Sequence, residues 1–222
     1  MSSKFSKWII FIAGIIMSIT LPIFVVFISK WFYNIQVVNW SHLEILTYTF
    51  DEIKEIYSNI VNYCVNLTDT FDIGKFYYSE DGFNHFKDVR NLMIINNLTL
   101  IISSLIVILG CIRYCKFLRD VEGYLISEHT PIFWSAIIGL VIVGLIWFVC
   151  LIDFKAAFDI FHKVLFSGKT NWQLSLETDA VMLILPNEYF RNCGVFVGCL
   201  SVLLDVSFMV IDCQILRHRK EH

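Results

Sequence analysis

Four apolar blocks alternate with polar segments along the chain. They cover about residues 8–28, 91–112, 131–152 and 193–214. Each block holds about 20 residues, which at 1.5 Å per residue is enough to cross a hydrocarbon core about 30 Å thick. The first block is too long for a cleaved signal peptide and lacks an A-x-A-like site, so it is predicted to stay as an anchor. The pattern predicts four transmembrane helices.

Two longer polar segments, 29–90 and 153–192, separate these blocks on one side of the predicted membrane. In the first segment, apolar residues recur in steps of three or four at Leu46, Phe50, Ile53, Tyr57, Ile60 and Cys64. In the second they recur in the same way at Phe154, Phe158, Phe161 and Leu165. This spacing predicts an amphipathic helix in each segment.

A break at Ser167–Asn171 follows the second predicted helix, and 171–185 is predicted to be a short irregular or hairpin segment. The expected fold is therefore an all-α membrane protein. Four transmembrane helices carry an extracellular cap of amphipathic helices, and residues 1–222 form a single integral membrane domain.

Basic residues indicate the orientation of the spans. Eight of the 17 lysines and arginines lie before the first span, in the short link between the second and third spans, or after the fourth: Lys4, Lys7, Arg113, Lys116, Arg119, Arg217, Arg219 and Lys220. The positive-inside rule places this side in the cytoplasm, with both termini, and the two longer segments outside. The chain is 57% hydrophobic with a net charge of −3, which favours membrane lipid as a partner and argues against nucleic acid.

The seven cysteines exclude some functions. No CxxC pair occurs, which argues against a membrane thiol oxidoreductase, and no zinc-ligand spacing is present. We expect neither a metal nor a cofactor. Cys64 and Cys193 are predicted to lie on the outer side, and spacing alone leaves open whether they form a disulfide.

Two histidines lie in the outer segments near the ends of predicted spans. His85 lies six residues before the second span. Asp88 follows His85 by one helical turn, and Glu80 lies on the approach to this helix. Asp88 shares a helix face with His85, so its carboxylate can hold one imidazole nitrogen and leave the other for chemistry. His162 lies in the second amphipathic helix. A solvated, solubilising collar and a two-histidine acid–base site both fit this placement.

Aromatic residues crowd the same layer, and they fit either an ordinary aromatic belt or a pocket for acyl and glyceryl groups. Asp205 lies near the middle of the fourth span, where a hydrogen bond to Ser103 or Ser104 of the second span would tie two helices. Asp212 is deeper, within reach of Arg113 or Arg217. From these residues alone, an enzyme, a non-enzymatic four-span scaffold or adaptor, and a small transporter all stay open.

Two stretches carry a resemblance to a known family. YYSEDGFNHFKDVR, before the second span, and FHKVLFSGKTNW with TDAVMLILPNEYF, before the fourth, resemble the signatures of the bacterial lipoprotein intramolecular transacylases. The order of spans and histidines is also similar. Gly82 departs from the pattern, since an acidic residue is expected there.

The resemblance implies an acyltransferase of the bacterial plasma membrane with its active site on the outer face. Such an enzyme moves the sn-2 acyl chain of a diacylglyceryl lipoprotein to the α-amino group of its N-terminal cysteine, which gives the lyso form. It also implies roles for particular residues. His85 and His162 would be catalytic, Glu80 and Asp88 would orient or balance charge, and the substrate pocket would include Tyr77, Tyr78, Phe166 and Trp172.

Overall fold

Seven α-helices contain most of the residues that the structure describes, which are 3–40, 48–116 and 125–220 of a computed structural model. In chain order these are α1 (Ser3–Ile28), α2 (Lys30–Val37), α3 (Phe50–Cys64), α4 (Glu80–Lys116), α5 (Pro131–Ile152), α6 (Phe154–Leu165) and α7 (Asn187–Lys220). A short 3-10 helix, Ala180–Leu183, precedes α7.

The four long helices confirm the predicted spans. By length and composition, the stretches able to cross a membrane are Ser6–Ile28, Glu80–Tyr114, Pro131–Ile152 and Asn187–His218. Helix α4 has 37 residues. At 1.5 Å per residue it is about 55 Å long, well beyond a hydrocarbon core of about 30 Å. It is therefore long enough to cross the core while its polar first turns, Glu80–Arg90, extend beyond it.

The amphipathic helices predicted for the two outer segments are α3 and α6. A capping box starts α3, in which the Thr49 hydroxyl accepts the Glu52 N–H and the Glu52 carboxylate accepts the Thr49 N–H. Asp153 caps α6 by accepting the N–H of Ala156 at 3.0 Å. Leu46, which the sequence pattern assigned to the first of these helices, lies outside the described residues.

Two features of the outer segments were not specified by the sequence pattern. Helix α2 follows α1 after Ser29 alone. The segment from Asn171 to Leu185, predicted to be either irregular or a hairpin, is irregular and consists of turns and the 3-10 helix. No strand occurs in the part of the chain that the structure describes.

The described residues separate into two compact units. One, here called the cap unit, comprises the described parts of Phe24–Ile95 and Val149–Val195. The other, called the span unit, comprises the described parts of Met1–Ile23, Asn96–Phe148 and Phe196–His222.

In the span unit, the partner predicted for Asp205 is wrong. Asp205 is fully buried and accepts a hydrogen bond from the Ser18 hydroxyl of α1 at 2.7 Å, whereas Ser103 donates to the carbonyl of Leu100 in its own helix. Gly139 of α5 provides the space, because a Cβ there would lie 2.5 Å from Asp205 Oδ2. The position of a polar residue along a predicted span indicates its depth in the membrane. It does not indicate which neighbouring helix its side chain faces.

Among the described residues, the partners found for Asp212 are His129 and Thr130, which the sequence did not suggest. Its buried carboxylate accepts the Thr130 backbone N–H at 2.7 Å and lies 2.6 Å from His129 Nδ1. Thr130 immediately precedes α5, so this contact satisfies a backbone donor at the start of that helix.

Three tyrosines form the centre of the cap unit. The rings of Tyr33 and Tyr57 stack with centroids 3.7 Å apart, and the Tyr57 and Tyr189 hydroxyls lie 2.5 Å apart. The Tyr33 hydroxyl donates to the carbonyl of Ile184 at 3.0 Å. These contacts join α2, α3, the start of α7 and the segment before it. Burial raises the pKa of Tyr57 and Tyr33 above the ordinary tyrosine value, which keeps both phenols neutral.

The cysteine pair left open by the sequence is not bonded. Cys64 and Cys193 both carry free thiols. Cys64 is part of the buried core of the cap unit, and Cys193 packs against that core.

A buried carboxylate fixes the outer end of α4. Asp179 is fully buried and accepts the backbone N–H and the hydroxyl of Ser79, each at 2.9 Å. The Ser79 hydroxyl in turn accepts the Gly82 N–H at 2.9 Å, as an N-cap does. A Cβ at position 82 would overlap Asp179 Oδ1. Glycine at this position, where an acidic residue was expected, is therefore explained by the close approach of Asp179.

We expect Gly82→Ala to destabilise the cap unit by about 2 kcal/mol, because the new methyl group displaces Asp179 from the N-terminus of α4. The measurement is thermal unfolding of the purified protein in detergent. Gly194→Ala is the matched control, since nothing lies within 4 Å of a Cβ at that position. Equal unfolding temperatures for the two variants would contradict this account of Gly82.

Candidate active site

The structure brings together the two histidines that the sequence singled out. His85 lies in the polar first turns of α4 and His162 near the end of α6, both in the cap unit. Their ring centroids are 5.9 Å apart, with the ring planes inclined by 36°. Two imidazoles this close can act on one bound molecule.

His162 has a defined orientation. It is only 8% exposed, and its Nδ1 lies 2.8 Å from the carbonyl oxygen of Phe158. A carbonyl oxygen only accepts, so Nδ1 carries the hydrogen, and in the neutral ring Nε2 keeps its lone pair. Burial lowers the pKa of His162, while the Phe158 carbonyl and Asp159 act in the opposite direction. The neutral ring at pH 7 therefore presents Nε2 as a base.

His85 is also neutral at pH 7. Burial, followed by the proximity of His162, lowers its pKa to about 4, and Asp88 only partly opposes the shift. Its Nδ1 is buried without a hydrogen-bond partner. This leaves Nε2 as the nitrogen that can meet a substrate.

Aromatic rings surround the histidine pair. Phe166 is buried, and its ring centroid lies 4.9 Å from that of His85 and 5.7 Å from that of His162. Trp172 stacks on His162 with centroids 5.2 Å apart, and Phe158 lies 4.2 Å from it. The pair therefore lies in an apolar environment, which accounts for its lowered pKa values.

Asp88 does not hold the imidazole of His85 as the sequence predicted. Its carboxylate accepts hydrogen bonds from Lys169 at 2.5 Å and from the Asn171 amide at 2.9 Å. Burial is the largest single influence on the pKa of Asp88 and raises it, but these two hydrogen bonds, together with the charges of Lys169 and His85, bring the pKa below its ordinary value. Asp88 acts on His85 through its charge, and it also holds the loop that carries Trp172.

The remaining residues proposed from the sequence lie away from the pair. Glu80 is exposed in the first turn of α4, and Ser79, not Glu80, caps that helix. The Tyr77 hydroxyl donates to the carbonyl of Leu176 at 2.7 Å. Tyr78 packs on Phe71, with centroids 5.4 Å apart. Neither tyrosine ring contacts a histidine ring, so of the four proposed pocket residues the structure places Phe166 and Trp172 at the histidines.

Sequence reasoning gave no role to Lys169, Asn171 or Asp179. The first two were recognised as part of a helix-breaking stretch and of the signature FHKVLFSGKTNW, but their partner Asp88 is 81 and 83 residues away in the chain. Ser79 directly precedes the acidic pair at the start of α4, and this pattern is the sequence signal for an N-cap. The pattern does not indicate that Asp179 is hydrogen-bonded to Ser79. Among the described residues no group of three or more His, Cys, Asp or Glu side chains could hold a metal ion.

Four membrane-length helices, together with a histidine pair in which His162 is buried and His85 is half-buried, define a membrane-integral protein with a site suited to acid–base chemistry. The model of one family, lipoprotein intramolecular transacylase Lit, matches residues 8–190. The chain belongs to this family and is therefore an acyltransferase. No curated protein matches the chain.

Solved structures show the same fold. The chain is similar to the membrane-integral lipoprotein intramolecular transacylase Lit from Bacillus cereus, with a TM-score of 0.87 and 19% identity over 99% of this chain and 98% of that one. Structures of that protein with H85R and H85A mutations, in its own numbering, match with TM-scores of 0.79 and 0.80. Their identities are 19% and 18%, covering 99% of this chain in both cases and 94% and 96% of those chains.

The lowered pKa of His85 predicts a pH dependence of stability. Between pH 6.5 and about 4, the unfolded chain binds a proton at His85 that the folded protein does not bind. The free energy of unfolding should therefore be highest above pH 6.5 and fall as the pH is lowered through this window. At pH 5 we expect His85 to account for a loss of about 1–2 kcal/mol.

Thermal unfolding in detergent at pH 7.5 and pH 5.0 tests this expectation. The unfolding temperature of the unmodified protein should fall further on acidification than that of a His85→Gln variant, which cannot titrate at this position. Equal shifts in the two proteins would show that His85 titrates at an ordinary pKa.

Proposed function

We propose that the chain moves the sn-2 acyl chain of a diacylglyceryl lipoprotein to the α-amino group of the N-terminal cysteine of the same molecule. The product is the lyso form, N-acyl-S-monoacylglyceryl-cysteine. Membership of the transacylase family supports this reaction. The observation that carries the assignment of the site is the pair of neutral histidines, 5.9 Å apart, supplied by two separate segments.

In this proposal His162 is the general base. Its Nε2 takes a proton from the neutral α-amine as the amine nitrogen attacks the ester carbonyl carbon. The Phe158 carbonyl accepts from Nδ1–H and stabilises the imidazolium that results. When the tetrahedral intermediate collapses, the bond between the acyl carbon and the glyceryl oxygen breaks. His162 then returns the same proton to that oxygen.

His85 is proposed to donate a neutral N–H to the acyl oxygen as negative charge develops there. A neutral imidazole serves as such a donor when its pKa lies well below the working pH, and the pKa of His85 is about 4. The apolar surroundings strengthen this hydrogen bond, because little solvent competes for the charge.

Donor and acceptor belong to one substrate molecule, so the reaction needs no acyl-enzyme nucleophile. The site has only to bring amine and ester together, which can lower the barrier by several kcal/mol. We propose that the aromatic rings of Phe166 and Trp172 hold the glyceryl and acyl groups near the histidines, and that membrane lipid supplies the surrounding solvent for the acyl chains.

Mass spectrometry of a lipoprotein's N-terminal peptide tests the reaction. The chain is expressed in a bacterial host that makes only diacylglyceryl lipoproteins. We expect one acyl chain to move to the α-amine while the total number of acyl chains stays at two. His85→Ala and His162→Ala should each lower the fraction converted by about 100-fold or more.

His218→Ala is the control, because it removes a histidine near the end of α7 outside the proposed site. It should convert as much lipoprotein as the unmodified chain. If both site variants keep full conversion, the histidine pair is not the catalytic centre. If the unmodified chain, folded in the membrane, leaves every peptide S-diacylated with a free amine, the transacylase function is wrong for this chain.

We further propose that the protein lies in the bacterial plasma membrane with both termini in the cytoplasm and the histidines on the outer face. The cluster of basic residues near the termini and the short link between the second and third spans supports this orientation. Fusion of a fluorescent protein that folds only in the cytoplasm to the C-terminus should give fluorescent cells. A dark fusion of normal abundance would require the opposite orientation.

A further inference from the structure

A polar cavity opens beside the histidine pair. Its volume is about 390 Å³, within the range of ligand pockets, and the walls that matter here are Asp81, Asn84, Lys87, Asp88, Lys169 and Asn171. All of them belong to the cap unit. The outer turns of α4 form one side of the cavity, and the loop after α6 forms the other.

The cavity shares its walls with the segments that carry both histidines. Asn84 directly precedes His85 in α4. Asn171 directly precedes Trp172, which stacks on His162. Residues that line the cavity are therefore direct chain neighbours of residues at the histidine pair.

The chemistry of the cavity differs from that of the histidine site. Phenylalanine and tryptophan rings surround the histidines, whereas two carboxylates, two ammonium groups and two amides line the cavity. Asn171 Oδ1 is buried without a hydrogen-bond partner, although its Nδ2 donates to Asp88. An unused acceptor of this kind suits a peptide N–H.

We infer that this cavity binds the peptide chain that follows the modified cysteine of the lipoprotein substrate. This inference rests on the proposed function. A lipoprotein joins an apolar diacylglyceryl group to a polar peptide at one cysteine, and the two neighbouring compartments match these two halves. The geometry puts the peptide between the outer turns of α4 and the loop Gly168–Asn171.

Lys87 and Asp81 are the charges in the cavity that would select among peptides. Asp88 is already paired with Lys169, whereas Lys87 and Asp81 are exposed on α4. Lys87 should favour acidic residues after the cysteine, and reversing its charge should favour basic ones.

The test compares two synthetic diacylglyceryl-cysteine peptides, one with two aspartates and one with two lysines at the third and fourth positions. The kcat/KM for acyl transfer is measured in neutral detergent with the complete protein. Lys87→Glu should lower the acidic-to-basic ratio of kcat/KM by about tenfold relative to the unmodified protein, because the acidic peptide changes from attracted to repelled and the basic peptide from repelled to attracted. A ratio is insensitive to differences in the amount of folded enzyme.

Lys75→Glu is the matched control. It makes the same change of charge at an exposed position of the cap unit that does not line the cavity. It should leave the ratio within about twofold of the unmodified protein, because an exposed charge that does not line the cavity makes no direct contact with a peptide bound there. An unchanged ratio in Lys87→Glu, or an equal change in both variants, would overturn the peptide site while leaving the transacylase function standing. No transfer to either peptide by the unmodified protein would overturn both.

Photo-crosslinking gives an independent readout that does not depend on turnover. An ether-linked dialkylglyceryl analogue cannot donate an acyl chain, and it carries a benzophenone residue at the third position of its peptide. We expect the label on residues 81–88 or 168–171. Labelling confined to other parts of the cap unit would show that the peptide leaves the site by a different route.

Discussion

The carboxylate of Asp88 is the contact on which the arrangement of the site depends. It lies one turn beyond His85 in α4, and it holds Lys169 and Asn171 of the loop that follows α6. The next residue in that loop, Trp172, packs against His162. One partly buried anion therefore ties together the two segments that carry the histidines, and its two strong donors offset the cost of its burial.

Burial sets the chemical character of both imidazoles. The aromatic rings that enclose them lower both pKa values, and each ring responds differently because its nitrogens have different partners. His162 is anchored through Nδ1, whereas the corresponding atom of His85 has no partner. Two chemically identical side chains thus differ in how they are held, and the proposed reaction uses this difference by making His162 the proton acceptor and His85 the hydrogen-bond donor. The low dielectric that lowers both pKa values also strengthens each interaction with developing charge.

Features that depend on local pattern were predictable from the sequence, and features that depend on which helix faces which were not. The four spans and the helices α3 and α6 follow from apolar runs and from three-to-four spacing. The choice of His85 and His162 follows from their placement in the two outer segments near the ends of predicted spans. Helix α2 has only eight residues and follows α1 after one residue, so its apolar positions do not form a spacing pattern distinct from that of α1. The partners of Asp205 and Asp88 lie 187 and about 80 residues away, and their choice depends on helix rotation and on space left by a glycine, which no local pattern encodes.

The acceptor that orients His162 is a main-chain carbonyl one turn earlier in the same helix. A carbonyl at that position is present whatever side chain residue 158 carries, provided that α6 stays helical. The tautomer of this histidine is consequently inherited from secondary structure and not from a partner residue that mutation could remove. Sequences on this scaffold can therefore diverge widely around the histidine while the ring keeps presenting the same nitrogen.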